Sequence, residues 1–131
     1  MDATTLLDGI ISGEGPVEER VRDALLLLPG LHAKSPSLCA SYSRRLREMC
    51  ADGMARAMEE RRWADVQSLS DATESILYVN ATTDFDSYLL YLEWDREPRK
   101  RFYQPRRDRL LPVVADLQDL FDGEIVFLSV S

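Results

Sequence analysis

The stretch DREPRKRFYQPRRDR, at residues 95–109, is the part of the sequence richest in groups that bind anions. All seven basic residues that follow residue 95 lie in it, and two aromatic residues stand among them. Arginines interleaved with aromatic rings suit a groove for a nucleic-acid backbone. The candidate DNA contacts are Arg99, Lys100, Arg101 and Arg109. The alternative is a solvated connector whose guanidinium groups pair with acidic helices elsewhere in the chain.

No other set of residues has the spacing of a catalytic or metal site. His32 is the single histidine, and no Ser, Cys or Asp stands at a fixed spacing from it. On one helix Cys39 and Cys50 would lie about 16 Å apart, too far for a disulfide. With one imidazole available, no zinc-ligand pattern exists. We therefore predict two buried free thiols, no metal site and no catalytic residue.

Composition and charge limit the class of protein. The chain has 131 residues, is 45% apolar and carries a formal charge of -7, which argues against a general nucleic-acid coat. The charge is uneven: residues 1–95 hold 17 acids and 9 bases, whereas residues 96–131 hold 6 acids and 7 bases. No stretch resembles a signal peptide or a membrane span, so we expect a cytoplasmic protein.

Apolar residues at helical spacing predict five helices in residues 1–95. Their predicted ranges are 3–12, 16–29, 35–62, 63–80 and 85–94, the third being the longest. Pro29-Gly30 is expected to end the second helix, and Asp84 to cap the fifth with Asp86 in its first turn. Trp63, Tyr88 and Trp94 are expected in the core or at helix junctions.

The C-terminal part of the chain has a different pattern. An irregular Arg-rich connector precedes a sixth helix from about residue 106 to 121, and residues 124–131 have the apolar, β-branched composition of a buried strand. The predicted fold is mainly α, with five to six short helices and a single C-terminal strand that lacks its sheet. We divide it into a helical leader domain, residues 1–95, and residues 96–131, which hold the connector, helix and strand.

Three runs in the second half of the chain resemble a known family. These are DFDSYLLYLEWDREPRKRFYQPRR, RLLPVVADLQDL and IVFLSVS, and they resemble the N-terminal region of the large terminase subunit of tailed phages and prophages. The resemblance is strongest over residues 84–131 and looser over residues 31–83. In that family a helical leader precedes an ATPase domain, whose first strand resembles residues 125–131 and leads directly into the phosphate loop.

The resemblance implies a place for a nucleotide. In such ATPases, segments just before the first strand commonly contact the adenine, and residues 102–107 are the matching place. There Tyr103 would stack on a purine, Gln104 would read its edge, and Arg106 or Arg107 would approach ribose or phosphate. The family more often carries an apolar residue where Gln104 stands. ATP and Mg belong to the full-length family, and we expect no cofactor in this chain.

The resemblance also implies a role without catalysis. The chain would be the leader of a viral DNA-packaging motor in the bacterial host, with an assembly or regulatory function. Its partners would be the small terminase subunit, the portal or its own ATPase domain. The alternatives are a stand-alone helical adaptor, whose final strand pairs with a partner's sheet or with a second copy, and a weak DNA or nucleotide binder.

Overall fold

The computed structural model describes the backbone of residues 2–130 and the side chains of residues 2–122. Over this range the chain is mainly α-helical, with six α-helices, two short 3-10 turns and no strand. The helices are α1 (Ala3–Ser12), α2 (Val17–Lys34), α3 (Pro36–Glu59), α4 (Trp63–Asn80), α5 (Phe85–Leu92) and α6 (Arg107–Val130). The 3-10 turns cover Pro98–Lys100 and Gln104–Arg106.

Polar side chains cap three of the helix starts. Asp2, Ser35 and Asp84 each accept a hydrogen bond from the backbone N–H three residues further on, at 2.9, 3.4 and 3.1 Å. Each bond satisfies a backbone donor that has no partner within the first turn. The predicted cap at Asp84 and the predicted ranges of α1 and α4 are confirmed.

The predicted end of α2 at Pro29-Gly30 is wrong, because the helix continues to Lys34 with Pro29 inside it. A proline inside a helix removes one hydrogen bond and costs about 3 kcal/mol. Leu28 and Leu31 flank Pro29 and are both buried. Burying two leucine side chains stabilises the fold by roughly 1.5–3 kcal/mol each, enough to offset the loss.

The main core lies between α1, α2, α3 and α4, and α3 packs along both α2 and α4. Gly53 of α3 allows this close packing, since a methyl group there would lie 2.9 Å from Cδ1 of Leu69 and 3.3 Å from Cγ1 of Val17. The predicted longest helix, α3, has 24 residues, and α6 has the same length. The buried residues of this core are Leu7, Val21, Ala24, Leu28, Leu31, Cys39, Tyr42, Leu46, Cys50, Leu69 and Ile76.

A second, smaller core joins the helical array to the C-terminal part of the chain. Four residues are buried together in it: Leu77 of α4, Leu90 of α5, Tyr103 from the segment before α6, and Val114 of α6. Tyr103 and Val114 thereby pack against residues of α4 and α5.

The inward face of α5 differs from the predicted one. Helical spacing in residues 85–94 predicts that Phe85, Tyr88, Leu89 and Leu92 face inward. Phe85 and Leu89 do pack against the second core, but Tyr88 and Leu92 are exposed, and Asp86 and Leu90 are buried. Trp63 was expected in the core or at a helix junction, and it lies at the junction of α3 and α4, where it is 61% exposed. Trp94 lies at a helix junction as expected, where its indole N–H donates to the carbonyl of Ser70 at 3.2 Å.

The predicted C-terminal strand is not found: the backbone of residues 125–130 continues helix α6. A strand requires neighbours for its backbone hydrogen bonds, and no other segment between residues 2 and 130 is extended into a sheet. A helix satisfies those groups within the segment itself. The side chains of residues 123–131 lie outside the described part of the chain.

Candidate functional site

The Arg-rich connector, here residues 96–106 between α5 and α6, contains most of the predicted site residues. Its two 3-10 turns bring the chain back across α5. Two carboxylates hold it there, Asp86 on α5 and Glu93 immediately after that helix. Both carboxylates are buried, so the connector is a folded part of the structure.

Glu93 binds the backbone of the connector. One carboxylate oxygen accepts hydrogen bonds from the N–H groups of Phe102 at 2.8 Å and Tyr103 at 3.1 Å. The other oxygen accepts from the N–H of Gln104 at 2.8 Å. Three consecutive backbone donors therefore converge on one carboxylate, an arrangement that stabilises its ionised form.

Asp86 connects three parts of the fold. Arg107 of α6 binds it in a bidentate manner, from Nε at 2.8 Å and from Nη2 at 2.7 Å. The hydroxyl of Tyr103 donates to it at 2.7 Å, and Nη2 of Arg47 on α3 lies 3.4 Å away. Because both Asp86 and Tyr103 are buried, this is an internal ion-pair network that fixes α3, α5 and α6 to one another.

The network shifts the ionisation of its members. Burial raises the pKa of Asp86, but hydrogen bonds from Arg107 and Tyr103 and the nearby positive charges outweigh it, so the pKa lies below its usual value. Burial likewise opposes ionisation of Glu93, yet its three backbone hydrogen bonds leave its pKa lowered. Burial and the bond to Asp86 raise the pKa of the Tyr103 hydroxyl.

The four candidates for nucleotide contact differ in exposure, and two of them, Gln104 and Arg107, line one surface pocket. Tyr103 is only 5% exposed and uses its hydroxyl within the network, and Arg107 is occupied by Asp86. A purine could stack on Tyr103 only after this residue left the second core. Gln104 is exposed, and the partly exposed Arg106 has its guanidinium carbon 4.2 Å from the ring centre of Phe102.

Three of the four candidates for DNA contact lie together. Arg99, Arg101 and Arg109 line a surface groove of about 410 Å³, to which Arg106 also contributes. Lys100 lies outside this lining, with Nζ 4.0 Å from the carboxylate of Glu97. The alternative prediction was pairing with acids of the preceding helices. Among the seven bases of residues 96–109, whose side chains are all described, it holds for Arg107 alone.

An apolar groove of about 780 Å³ lies where α2, the end of α4 and α5 meet, and α6 contributes one residue to it, Phe121. Tyr88 and Leu92, the residues that sequence periodicity placed in the core, line it. The ring of Phe121 packs edge-on against Phe85 at its border, with centroids 5.8 Å apart. This surface is concave and is lined mostly by aromatic and aliphatic side chains.

The histidine and the two cysteines of the chain pack within the fold. His32 Nε2 lies 2.8 Å from Oγ1 of Thr83 and ties α2 to the turn before α5. Cys39 and Cys50 are buried free thiols, as predicted, and burial raises the pKa of Cys50 to about 11. Among the described side chains, no group of three His, Cys, Asp or Glu could hold a metal ion. No helix in the described part of the chain is long and apolar enough to cross a membrane.

Sequence reasoning missed the roles of Asp86 and Glu93. The signal that identifies them is their spacing, because Asp86, Leu90 and Glu93 follow one another at four and three residues, the spacing of one helix face, with Glu93 at the C-terminal cap of α5. An acid on an apolar stripe requires a buried partner, and the Arg-rich connector is the nearest source.

No family model, curated protein or solved structure matches the chain.

Proposed function

We propose that this chain is the N-terminal helical leader of a terminase large subunit, with an assembly or regulatory role in viral DNA packaging. The proposal rests on the resemblance of residues 84–131 to that family. The chain performs no catalysis in this role, and ATP and Mg belong to the ATPase domain that follows the leader in the family. The setting is the cytoplasm of a bacterial host.

The apolar groove supports an assembly role, because exposed concave apolar surfaces mark sites of protein contact. Tyr88 and Leu92 present side chains there that are 42% and 51% exposed. Helix α6 contributes Phe121 to the groove and then continues toward residues 125–131, which resemble the first ATPase strand. The partner that we assign to the groove is therefore the ATPase domain of the same protein.

The predicted strand belongs to this proposal. Residues 125–130 are apolar and β-branched, and here their backbone groups bond within α6. In the proposed leader, these residues pair as the first strand of the ATPase sheet. The neighbouring strands of that domain then supply the hydrogen-bond partners that the helix supplies here.

Calorimetry tests the docking directly. The chain is titrated into the ATPase domain of a terminase encoded in the same genome, and we expect saturable binding. The double variant Tyr88→Ala with Leu92→Ala should bind about thirtyfold more weakly, because losing two central apolar contacts at about 1 kcal/mol each costs about 2 kcal/mol. The control is Trp63→Ala, which removes an even more exposed aromatic ring at the start of α4, outside the lining of the groove. Equal binding by all three proteins would contradict this docking.

The stand-alone adaptor is the second candidate, since the same groove would serve an unrelated partner. The reading frame beyond Ser131 separates the two. A frame that continues into a phosphate loop with Lys and Ser or Thr supports the leader. A stop codon at that point favours the adaptor.

A further inference from the structure

The arginine groove on the connector is a charged surface that the proposed assembly role does not use. It has a volume of about 410 Å³, and among the described residues its lining contains no acid. Its lining residues are Pro98, Arg99, Arg101, Pro105, Arg106 and Arg109. The two prolines restrict the backbone at either end of the connector.

Neutral groups hold two of the guanidinium groups in place. Arg101 donates from Nε to the carbonyl of Arg96 at 3.2 Å and from Nη2 to that of Trp94 at 2.7 Å. Its guanidinium carbon lies 4.3 Å from the ring centre of Trp94. Arg106 donates to the carbonyl of Phe102 at 2.9 Å and lies over that ring. These contacts orient the side chains without cancelling their charge, and each guanidinium keeps further N–H donors.

The segment that forms the groove has an excess of positive charge. Residues 96–109 contain seven bases and two acids, a balance of +5 on a chain of net charge -7. Asp86 neutralises Arg107. Arg99 lies 2.9 Å from Glu97, but both side chains are well exposed, and such pairs are weak in water. A polyanion therefore meets one positive surface on an otherwise acidic protein.

The geometry favours phosphate groups of a nucleic acid as the ligand. A guanidinium group binds phosphate with two parallel N–H donors, and several guanidiniums along a groove suit a backbone of repeated phosphates. Beside the groove, the residue Phe102 is 62% exposed even with Arg106 lying over its ring, so a base can stack on the area that Arg106 leaves open. An acidic peptide offers carboxylates but no base, so it leaves the aromatic ring unused.

We propose that the arginine groove binds the phosphodiester backbone of a nucleic acid, with Phe102 as an adjacent stacking surface. Arg99, Arg101, Arg106 and Arg109 supply the phosphate contacts. The inference goes beyond the assembly role and does not depend on it. Loss of nucleic-acid binding and loss of docking are measured on different surfaces with different variants.

Fluorescence anisotropy tests this inference on the full chain. A short fluorescein-labelled DNA is titrated at increasing salt, once as a single strand and once as a duplex. The variant Arg99→Gln with Arg109→Gln removes two exposed charges from the groove. The control, Arg22→Gln with Arg56→Gln, makes the same change in net charge at exposed positions of α2 and α3. Circular dichroism checks that both variants fold.

We expect wild type and control to bind with a steep salt dependence. The groove variant should bind roughly tenfold more weakly at low salt, with a log–log salt slope smaller by about 1.5, since each lost phosphate contact removes about 0.7–0.9. If the single strand binds more tightly than the duplex, the ligand is single-stranded nucleic acid. If the duplex binds as tightly as the single strand or more tightly, the ligand is double-stranded DNA. Three results would overturn the inference: no binding of either DNA at low salt, equal loss in both variants, or equal competition by a polyglutamate peptide.

Discussion

Replacing Asp86 by asparagine should weaken the attachment of the connector and α6 to the helical array, with almost no change in side-chain volume. The aspartate side chain is 9% exposed and accepts hydrogen bonds from Arg107, Tyr103 and Arg47. An asparagine amide has one acceptor oxygen and one NH2 group. The NH2 group would face the donors of a guanidinium, and both arginines would lose their anionic partner.

The size of the effect follows from burial. Removing one member of a buried ion pair costs about 3–5 kcal/mol, because the other charge is left without a partner. The Arg107 side chain is 30% exposed and can turn toward water, so we expect the lower end, about 3 kcal/mol. Small domains have a total stability of about 5–15 kcal/mol, so the variant should still fold.

Urea unfolding followed by circular dichroism measures the loss. With a slope of about 2 kcal/mol per molar urea, typical of a small domain, the midpoint should fall by about 1.5 M. Asp95→Asn is the matched control, because it makes the same change in charge at an exposed position two residues after Glu93. Its midpoint should remain within about 0.3 M of wild type.

A double-mutant cycle decides whether Asp86 acts through the network. Asp86→Asn and Tyr103→Phe, which removes only the donating hydroxyl, should show a coupling energy of about 1 kcal/mol. Additive effects of the two substitutions would refute a shared network. A midpoint for Asp86→Asn equal to that of the Asp95→Asn control would refute the predicted role of the buried charge itself.

Three further predictions follow from the same structure. Because the pKa values of Asp86 and Glu93 are lowered in the fold, both carboxylates stabilise the folded state above about pH 4, where unfolded carboxylates are ionised. This contribution to the free energy of unfolding is lost as acid protonates them in the fold. Urea midpoints that rise below pH 4 would contradict this. Gly53→Ala should destabilise the chain by about 1–2 kcal/mol, whereas Gly30→Ala, with no atom near the added methyl group, should stabilise it by about 0.5–1 kcal/mol, both read as urea midpoints. Because burial raises the pKa of Cys50 to about 11, its thiol should react with a disulfide reagent at pH 8 only after unfolding, and rapid labelling of the native chain would contradict its burial.

Local features of the sequence determined most of the helical boundaries. A side chain that caps a helix acts within three residues, so Asp84 is recognisable without its neighbours in space. The ranges of α1 and α4 follow from apolar spacing for the same reason. Burial of both thiols was also predictable, because Cys39 and Cys50 lie on the apolar face of one long helix.

Tertiary structure decided the features in which distant groups compete. Pro29 would end α2 by its local chemistry, but packing of the leucines around it keeps the helix intact. The residues of α5 were expected to place aromatic rings inside, yet Asp86 occupies the inner face because arginines from α3 and α6 neutralise it there. Local patterns cannot show such partners, since they lie 39 and 21 residues away along the chain.

The same distinction separates the arginines of the connector. Composition alone shows that seven bases cluster between residues 96 and 109, and therefore that an anion is expected nearby. Only the folded chain assigns one of them, Arg107, to an internal carboxylate and brings four others to an open groove. The reason is physical: a guanidinium is neutralised by the carboxylate that the fold places within about 4 Å, whatever its distance in sequence.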